Sequence, residues 1–467
     1  MKMWSGRFRQ PLDPEFERWQ RSFDFDRRLL RYELAASGAH AKALKNAGVL
    51  TANELISILQ GLEQLGEKAA ATPAFLDDPD AEDVHHFVEK QLVVIIGEAG
   101  YKLHSGRSRN EQIATDLRLY VRAAIDEFRQ QIAELCGVFV DRAEQSGDAA
   151  MPAYTHLQRA EPVLAGHWLL AYVQMFLRDA DRLADCRDRL NVCPLGSGAV
   201  AGATLALDRS LMAEALGFDG PTANSIDATS DRDFALEFVN SLSLLALHLS
   251  RWAEEMILFS SQEYQFIGLP EAYSTGSSAM PQKKNPDLLE LVRGKSGRVL
   301  GNATALMVSV KGLPLAYNKD LQETQEPLFD AADTLLRMLP LVTGWMKAVD
   351  FHFDQMQMAV QSGFMNAWAA ATYLVSRGVP SRLAHERIGK AVQMCLERGC
   401  ELSELPLEEL QGLTPAFGAD FYDSLSLSSV LAIHDVAGGT APARVRQAIN
   451  TVRKQIQALR EEVHAHA

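Results

Sequence analysis

The chain has 467 residues, 47% of them hydrophobic and 23% charged, the make-up of a globular protein with roughly two or three hydrophobic cores. Its 46 basic residues against 60 acidic ones leave a net charge of −14, so neither a nucleic-acid nor an anionic-membrane partner has electrostatic support. The five cysteines (Cys136, Cys186, Cys193, Cys395 and Cys400) show no CxxC spacing and read as thiols of a reduced compartment, which predicts a cytoplasmic protein.

The opening MKMWSGRFRQPLDPEF lacks the apolar stretch of a secretory signal. Nowhere does an apolar run approach the ~18 residues that a membrane span needs. Up to about residue 105 the pattern is of shorter helices, broken by Pro/Asp-rich stretches at 11–14 and 72–80. Next comes HSGRSRNEQ, 104–112, with Arg107, Arg109 and Asn110 at the start of a long helix. Arginines ordinarily suit a helix C-terminus, so their place here invites an anion.

From 110 to about 147 the apolar residues Ile113, Leu117, Tyr120, Ala124, Phe128, Ile132, Leu135 and Phe139 recur at helical period. YTHLQRAEPV, 154–163, then sets Thr155 and His156 in a polar loop before a second helix, predicted over 161–190 with Glu161 and Pro162 in its first turn. GSGAVAG at 196–202 follows a helix rather than a strand, so it reads as a tight turn and not as a dinucleotide loop. A third helix is predicted over 231–266.

STGSSAMPQKKNPD, 274–287, interrupts the helices with small residues, paired lysines and Asn-Pro. Asn285 and Pro286 read as N-cap and N1 of a fourth helix, 285–311, placing Lys283 and Asn285 beside a positive helix end suited to a carboxylate. GKS at 294–296 lies inside that helix and has Leu289 where a P-loop needs glycine. The twelve histidines form no HExxH and no ligand cluster at zinc spacing, so no metal or other cofactor is expected. After 355 short helices return, with turns at 378–380, 414–415 and 438–442, and the HAHA end reads as a frayed tail. With little strict alternation along the chain, the expected fold is all-α. Three domains are expected: 1–105, a long-helix bundle over 106–355, and 356–467. Helices this long, apolar on more than one face, favour a bundle completed by other subunits.

GSSAMPQKKNP closely resembles the signature loop of the fumarase/aspartase superfamily. HSGRSRNEQIATD, AYTHLQRAEPV, TSDRDFALEF, LPLAYNKDLQE, AEDVHHFVE, the opening WSGRF and GGTAP near the end resemble its argininosuccinate lyase family in particular. The resemblance spans nearly the whole chain. It implies a three-domain, all-α fold and a carbon–nitrogen lyase that releases fumarate from argininosuccinate by β-elimination. It also implies a homotetramer whose active sites draw residues from three subunits. Carried over residue by residue, it makes Ser277 the base and His156 the acid, with Glu290 tuning His156. Lys283 and Asn285 stabilise the developing charge. Arg109, Asn110 and Thr155 bind substrate carboxylates, and Ser37, Tyr317 and Gln322 make further substrate contacts. Three sites depart from the family pattern: Gln325 stands for a lysine, the pair Trp368-Ala369 for Thr-Asp, and Glu111 for aspartate. The first two bear on the amine half of the substrate and leave open a different N-substituted aspartate.

Overall fold

The computed structural model describes residues 10–466, so the WSGRF motif at 4–8 and the final alanine of the HAHA end lie outside the described residues. The four long helical periods materialise as helices Arg109–Gln145, Ala165–Leu190, Asp233–Ser260 and Asp287–Val310. Two long helices were not anticipated, Gln325–Ala348 and Pro442–His466, and the second runs through the end where short helices and a frayed tail were expected. No helix among the described residues is long and apolar enough to cross a membrane.

The chain divides into two compact units. One comprises the residues up to Glu127 together with Asp181–Leu244 and Gly297–Leu335. Its helix Leu30–Asn46 continues directly from the helical turn Arg27–Leu29 without a side-chain cap, whereas Ala52–Ala71 and Val84–Ile96 begin where polar side chains satisfy free N–H groups. Thr51 and Glu54 form a reciprocal capping box, and Asp83 accepts from the His86 N–H at 2.7 Å. Phe23 stacks on Phe87 at 4.9 Å and Tyr120 meets Phe329 edge-on at 5.0 Å within its core. The other unit comprises Phe128–Ala180, Leu245–Ser296 and the residues from Leu336 onward. Trp252 and Trp345, both fully buried, meet edge-on at 5.2 Å there. Its C-terminal part has its own core, built from Leu374, Ile388, Leu410, Phe417 and Phe421 among others.

Two local expectations are corrected. Residues 161–164 are not the first turn of a helix: Ala150–Thr155 (β1) and Gln158–Leu164 (β2) form an antiparallel hairpin, and the helix begins at Ala165. The polar loop that holds Thr155 and His156 is therefore the tip of a hairpin. Thr155 pairs with Gln158, leaving His156 and Leu157 as a two-residue turn, both with φ of 57°. Second, Asn285 is not the N-cap. It pairs with Thr275 in a short antiparallel bridge, and the helix starts at Asp287 with the Glu290 N–H bonded to the Pro286 carbonyl. Two further two-stranded pairings, each two residues per strand, complete the sheet content of the described residues. GKS lies mid-helix as expected, and 196–202 is a turn in which Gly196, Gly198 and Gly202 all take positive φ. At Gly198 a Cβ would fall 2.7 Å from the Gly202 carbonyl oxygen, so only glycine closes that turn.

Candidate active site

The loop 274–287 is ordered by its own polar groups. Asp287, the first residue of its helix, accepts from the Thr275 hydroxyl (2.6 Å) and backbone N–H (3.2 Å). The Asn285 amide reaches the Gly276 carbonyl at 3.4 Å. Between these anchors the Ser277 hydroxyl oxygen accepts from two backbone N–H groups, Ala279 at 3.3 Å and Met280 at 3.1 Å. Two N–H dipoles converging on one oxygen favour its ionised form over its neutral one. Both lysines are exposed and differ in their contacts: the Lys284 ammonium donates to the Leu269 carbonyl at 3.3 Å and stands 3.8 Å from Glu271. Glu290 is exposed one turn into the helix.

Thr155 and His156 are exposed at the hairpin tip. Among the described residues no hydrogen bond or ion pair joins His156 to Glu290. The turn is strained, because left-handed backbone suits glycine and asparagine, and a histidine–leucine pair costs about 1–3 kcal/mol per residue. Its base is fixed by Thr440 of the GGTAP motif, whose buried hydroxyl accepts from the Leu164 N–H at 2.8 Å. Gly439 is required beside it, since a Cβ there would sit 2.1 Å from the His434 carbonyl.

The other predicted substrate contacts lie in the first unit. HSGRSRNEQ folds as the predicted helix start, with Ser108 capping it. The Asn110 N–H donates to the Ser108 hydroxyl (3.3 Å) and the Glu111 carboxylate accepts from the Ser108 N–H (3.1 Å). The second Glu111 oxygen accepts from the Gly198 N–H at 2.7 Å, and the Asn110 amide reaches the Ala199 carbonyl at 3.4 Å. Glu111 thus ties the glycine turn 196–202 to the helix start; its burial pushes its carboxyl up. Arg109 pairs with Glu82 (3.1 Å) and Asp83 (3.0 Å). Gln322 is buried and donates to the Gln20 carbonyl at 3.1 Å. Tyr317 has its phenol pushed up by burial against the opposing charge of Arg232, whose own guanidinium burial lowers to about 10.

Ser37 is fully buried in a network that sequence reasoning missed. Its hydroxyl donates to Glu33 at 2.6 Å and accepts from Arg107 at 2.9 Å. Glu33 also accepts from Gln112 (3.0 Å) and His85 Nδ1 (2.8 Å), with Asp116 3.7 Å from the same nitrogen. Burial alone would raise the Glu33 carboxyl, but the charges of His85 and Arg107 and the bonds from His85 and Ser37 hold it at about 2. Burial and the neighbouring Glu33 charge push the Asp116 carboxyl well above the usual range. Glu33, His85 and Asp116 are the one group of metal-ligating type and spacing among the described residues, and Arg107, 3.7 Å from Glu33, already supplies positive charge there. The available signal was polar residues on an apolar stripe: Glu33, Ser37 and His40 alternate with Leu30 and Leu44 on one helix face, and Asp116 sits beside Leu117 between Ile113 and Tyr120.

Of the departures, Gln325 is buried at the start of its helix, with its side-chain oxygen lacking a hydrogen-bond partner. Trp368 is 63% exposed, its ring 6.1 Å from that of His434.

Similarity to known proteins agrees with these motifs. The lyase family matches residues 6–301 and the argininosuccinate lyase C-terminal family residues 364–432. The chain is 59% identical to the argininosuccinate lyase of Koribacter versatilis over the whole of both chains. It is 58% identical to that of Acidobacterium capsulatum, over 97% of this chain and 95% of that one. Among solved structures, EDDS lyase in complex with formate superposes with a TM-score of 0.85 at 27% identity, covering 98% of this chain and 92% of the other. The chain therefore belongs to the argininosuccinate lyase family of the fumarase/aspartase superfamily.

Proposed function

We propose that this chain splits argininosuccinate into arginine and fumarate by β-elimination, the last step of arginine biosynthesis, with Ser277 as the base. The observation that carries this reading is the Ser277 oxygen accepting two backbone N–H groups in a loop that also holds Lys283. The Cβ proton is poorly acidic because the adjacent carboxylate is already negative. Its loss generates a doubly charged aci-carboxylate, so the site must gather positive charge and donors around it. Lys283, Asn285 and the N-terminus of the helix from Asp287 are suited to that task, and the pinning of Lys284 to Leu269 leaves Lys283 as the lysine for it. His156 donates the proton to the leaving guanidino nitrogen and Glu290 tunes it. Arg109, Asn110 and Thr155 receive the substrate carboxylates, and Ser37, Tyr317 and Gln322 complete the substrate contacts.

The working form is a homotetramer in the cytoplasm, each active site shared between subunits. Its support is the apolar surface left on the long helices of a single chain, where Leu291, Leu300, Met307 and Val308 of one helix and Leu244 and Leu247 of another are exposed. The three-part division at 105 and 355 is the accompanying domain reading. A second reading keeps the elimination and changes the amine, supported by glutamine instead of lysine at 325 and by the exposed indole of Trp368.

The test is fumarate release followed by ultraviolet absorbance, with argininosuccinate beside other N-substituted aspartates. Argininosuccinate is expected to turn over best, and Ser277→Ala to lose at least about a hundredfold in kcat. No fumarate from argininosuccinate would overturn the proposal, and faster turnover of another substrate would establish the second reading.

A further inference from the structure

The hairpin that carries Thr155 and His156 has a weak ladder below its tip. Pro152 stands opposite Pro162, so neither contributes an N–H there, and the register slips between Pro152 and Tyr154. A left-handed His-Leu turn on such a ladder keeps its place only if the flanking residues hold it. Thr440 holds the base, eight residues from His156. Near the tip the side chain that reaches outward is Arg159: its guanidinium donates to the Ala359 carbonyl at 3.0 Å and lies 3.4 Å from the Ser362 hydroxyl. Arg159 also sits directly across the ladder from Tyr154. The Tyr154 ring is in turn wedged against Tyr264 at 5.6 Å and Phe259 at 5.9 Å.

We infer that Arg159 is a positioning residue for the reaction: by clamping the hairpin tip to the Ala359 carbonyl, it fixes the height and direction of the turn that presents His156. This rests on the reading of His156 as the acid. Arg159 is exposed, so its truncation leaves the core intact and separates a positioning effect from a folding effect. A displacement of about 1 Å at a proton donor lowers the rate of the step by up to about a hundredfold while leaving the other substrate contacts in place.

The experiment is steady-state fumarate release from argininosuccinate by the full-length chain, with Arg159→Ala, Arg159→Lys and His156→Gln, each also measured for thermal melting and for hydrogen exchange across 150–164. Arg159→Ala is expected to lower kcat about tenfold or more, to change KM by less than about threefold, to speed exchange at 154–158 and to leave the melting temperature unchanged. Arg159→Lys, which still offers one donor to the carbonyl, recovers most of kcat. The inference is overturned if Arg159→Ala keeps kcat within about twofold of the native protein. It is equally overturned if the lysine variant is as impaired as the alanine one while both melt earlier, since that pattern is a folding defect. A native kcat in His156→Gln overturns the acid assignment, and this inference with it. A dead His156→Gln beside an unaffected Arg159→Ala rejects the clamp alone.

Discussion

Replacing Glu33 by glutamine removes one charge and almost no volume from a fully buried site. The carboxylate accepts from Ser37, Gln112 and His85 and lies 3.7 Å from Arg107. An amide must turn its nitrogen toward one of those donors, and it takes from His85 and Arg107 their nearest counter-charge. Removing one member of a buried ion pair costs about 3–5 kcal/mol. The carboxyl itself gives a similar figure: its fall from 4.5 to about 2 corresponds to roughly 3 kcal/mol in favour of the charged form. The sign follows from the same directions. Stability from Glu33 is present above its ordinary 4.5 and is lost as pH falls toward 2. His85 is shifted up chiefly by Glu33, against its own burial, so its share is present below 6.5 and is lost as pH rises through its folded value. Urea unfolding of native and Glu33→Gln proteins should therefore differ by about 3–4 kcal/mol between pH 5 and 6, and by less than half of that at pH 3. A difference below about 1 kcal/mol at pH 6, or one that does not shrink in acid, would refute the account of this network.

Burial, reinforced by the charge of Asp83, raises the Asp26 carboxyl to about 7, so native stability should fall as pH rises from about 4 to 7, by at most roughly 4 kcal/mol. Asp26→Asn should flatten that slope in a series of melting curves; an unchanged slope would assign it to other groups. Glu111→Asp cannot span both the Ser108 and Gly198 N–H groups, so it should cost about 1–3 kcal/mol in urea unfolding, with faster exchange across 196–202. Gly439→Ala would press a Cβ to 2.1 Å from the His434 carbonyl and should lower stability by about 2 kcal/mol or more; a melting temperature within about one degree of native would contradict the contact.

Much of the fold could be read from period alone. Steps of three and four from Ile113 to Phe139 became the helix Arg109–Gln145, because an amphipathic surface repeated over that many turns has one regular solution. The hairpin could not be read that way. Its strands carry Pro152 and Pro162, its turn is His-Leu where the usual signal is Asn-Gly, and Glu161-Pro162 imitates the first turn of a helix. Asn285-Pro286 misled by one step for a similar reason: the cap signal was present, but Thr275 competed for the backbone of Asn285. The loop residues Ser277, Lys283 and Asn285 were legible because they adjoin in sequence. The network around Ser37 was not, because Glu33, His85 and the pair Arg107 and Asp116 come from three separate segments and meet only through packing.

The His156-Leu157 turn has a consequence for anyone selecting sturdier variants of this enzyme. Leu157→Gly would relieve a left-handed leucine and bring the hairpin nearer to its preferred turn chemistry, so a screen for heat resistance should find it readily. The same change loosens the residue next to His156, and a screen for turnover should discard it. At this position heat resistance and speed would be selected in opposite directions, and the leucine would mark which of the two prevailed.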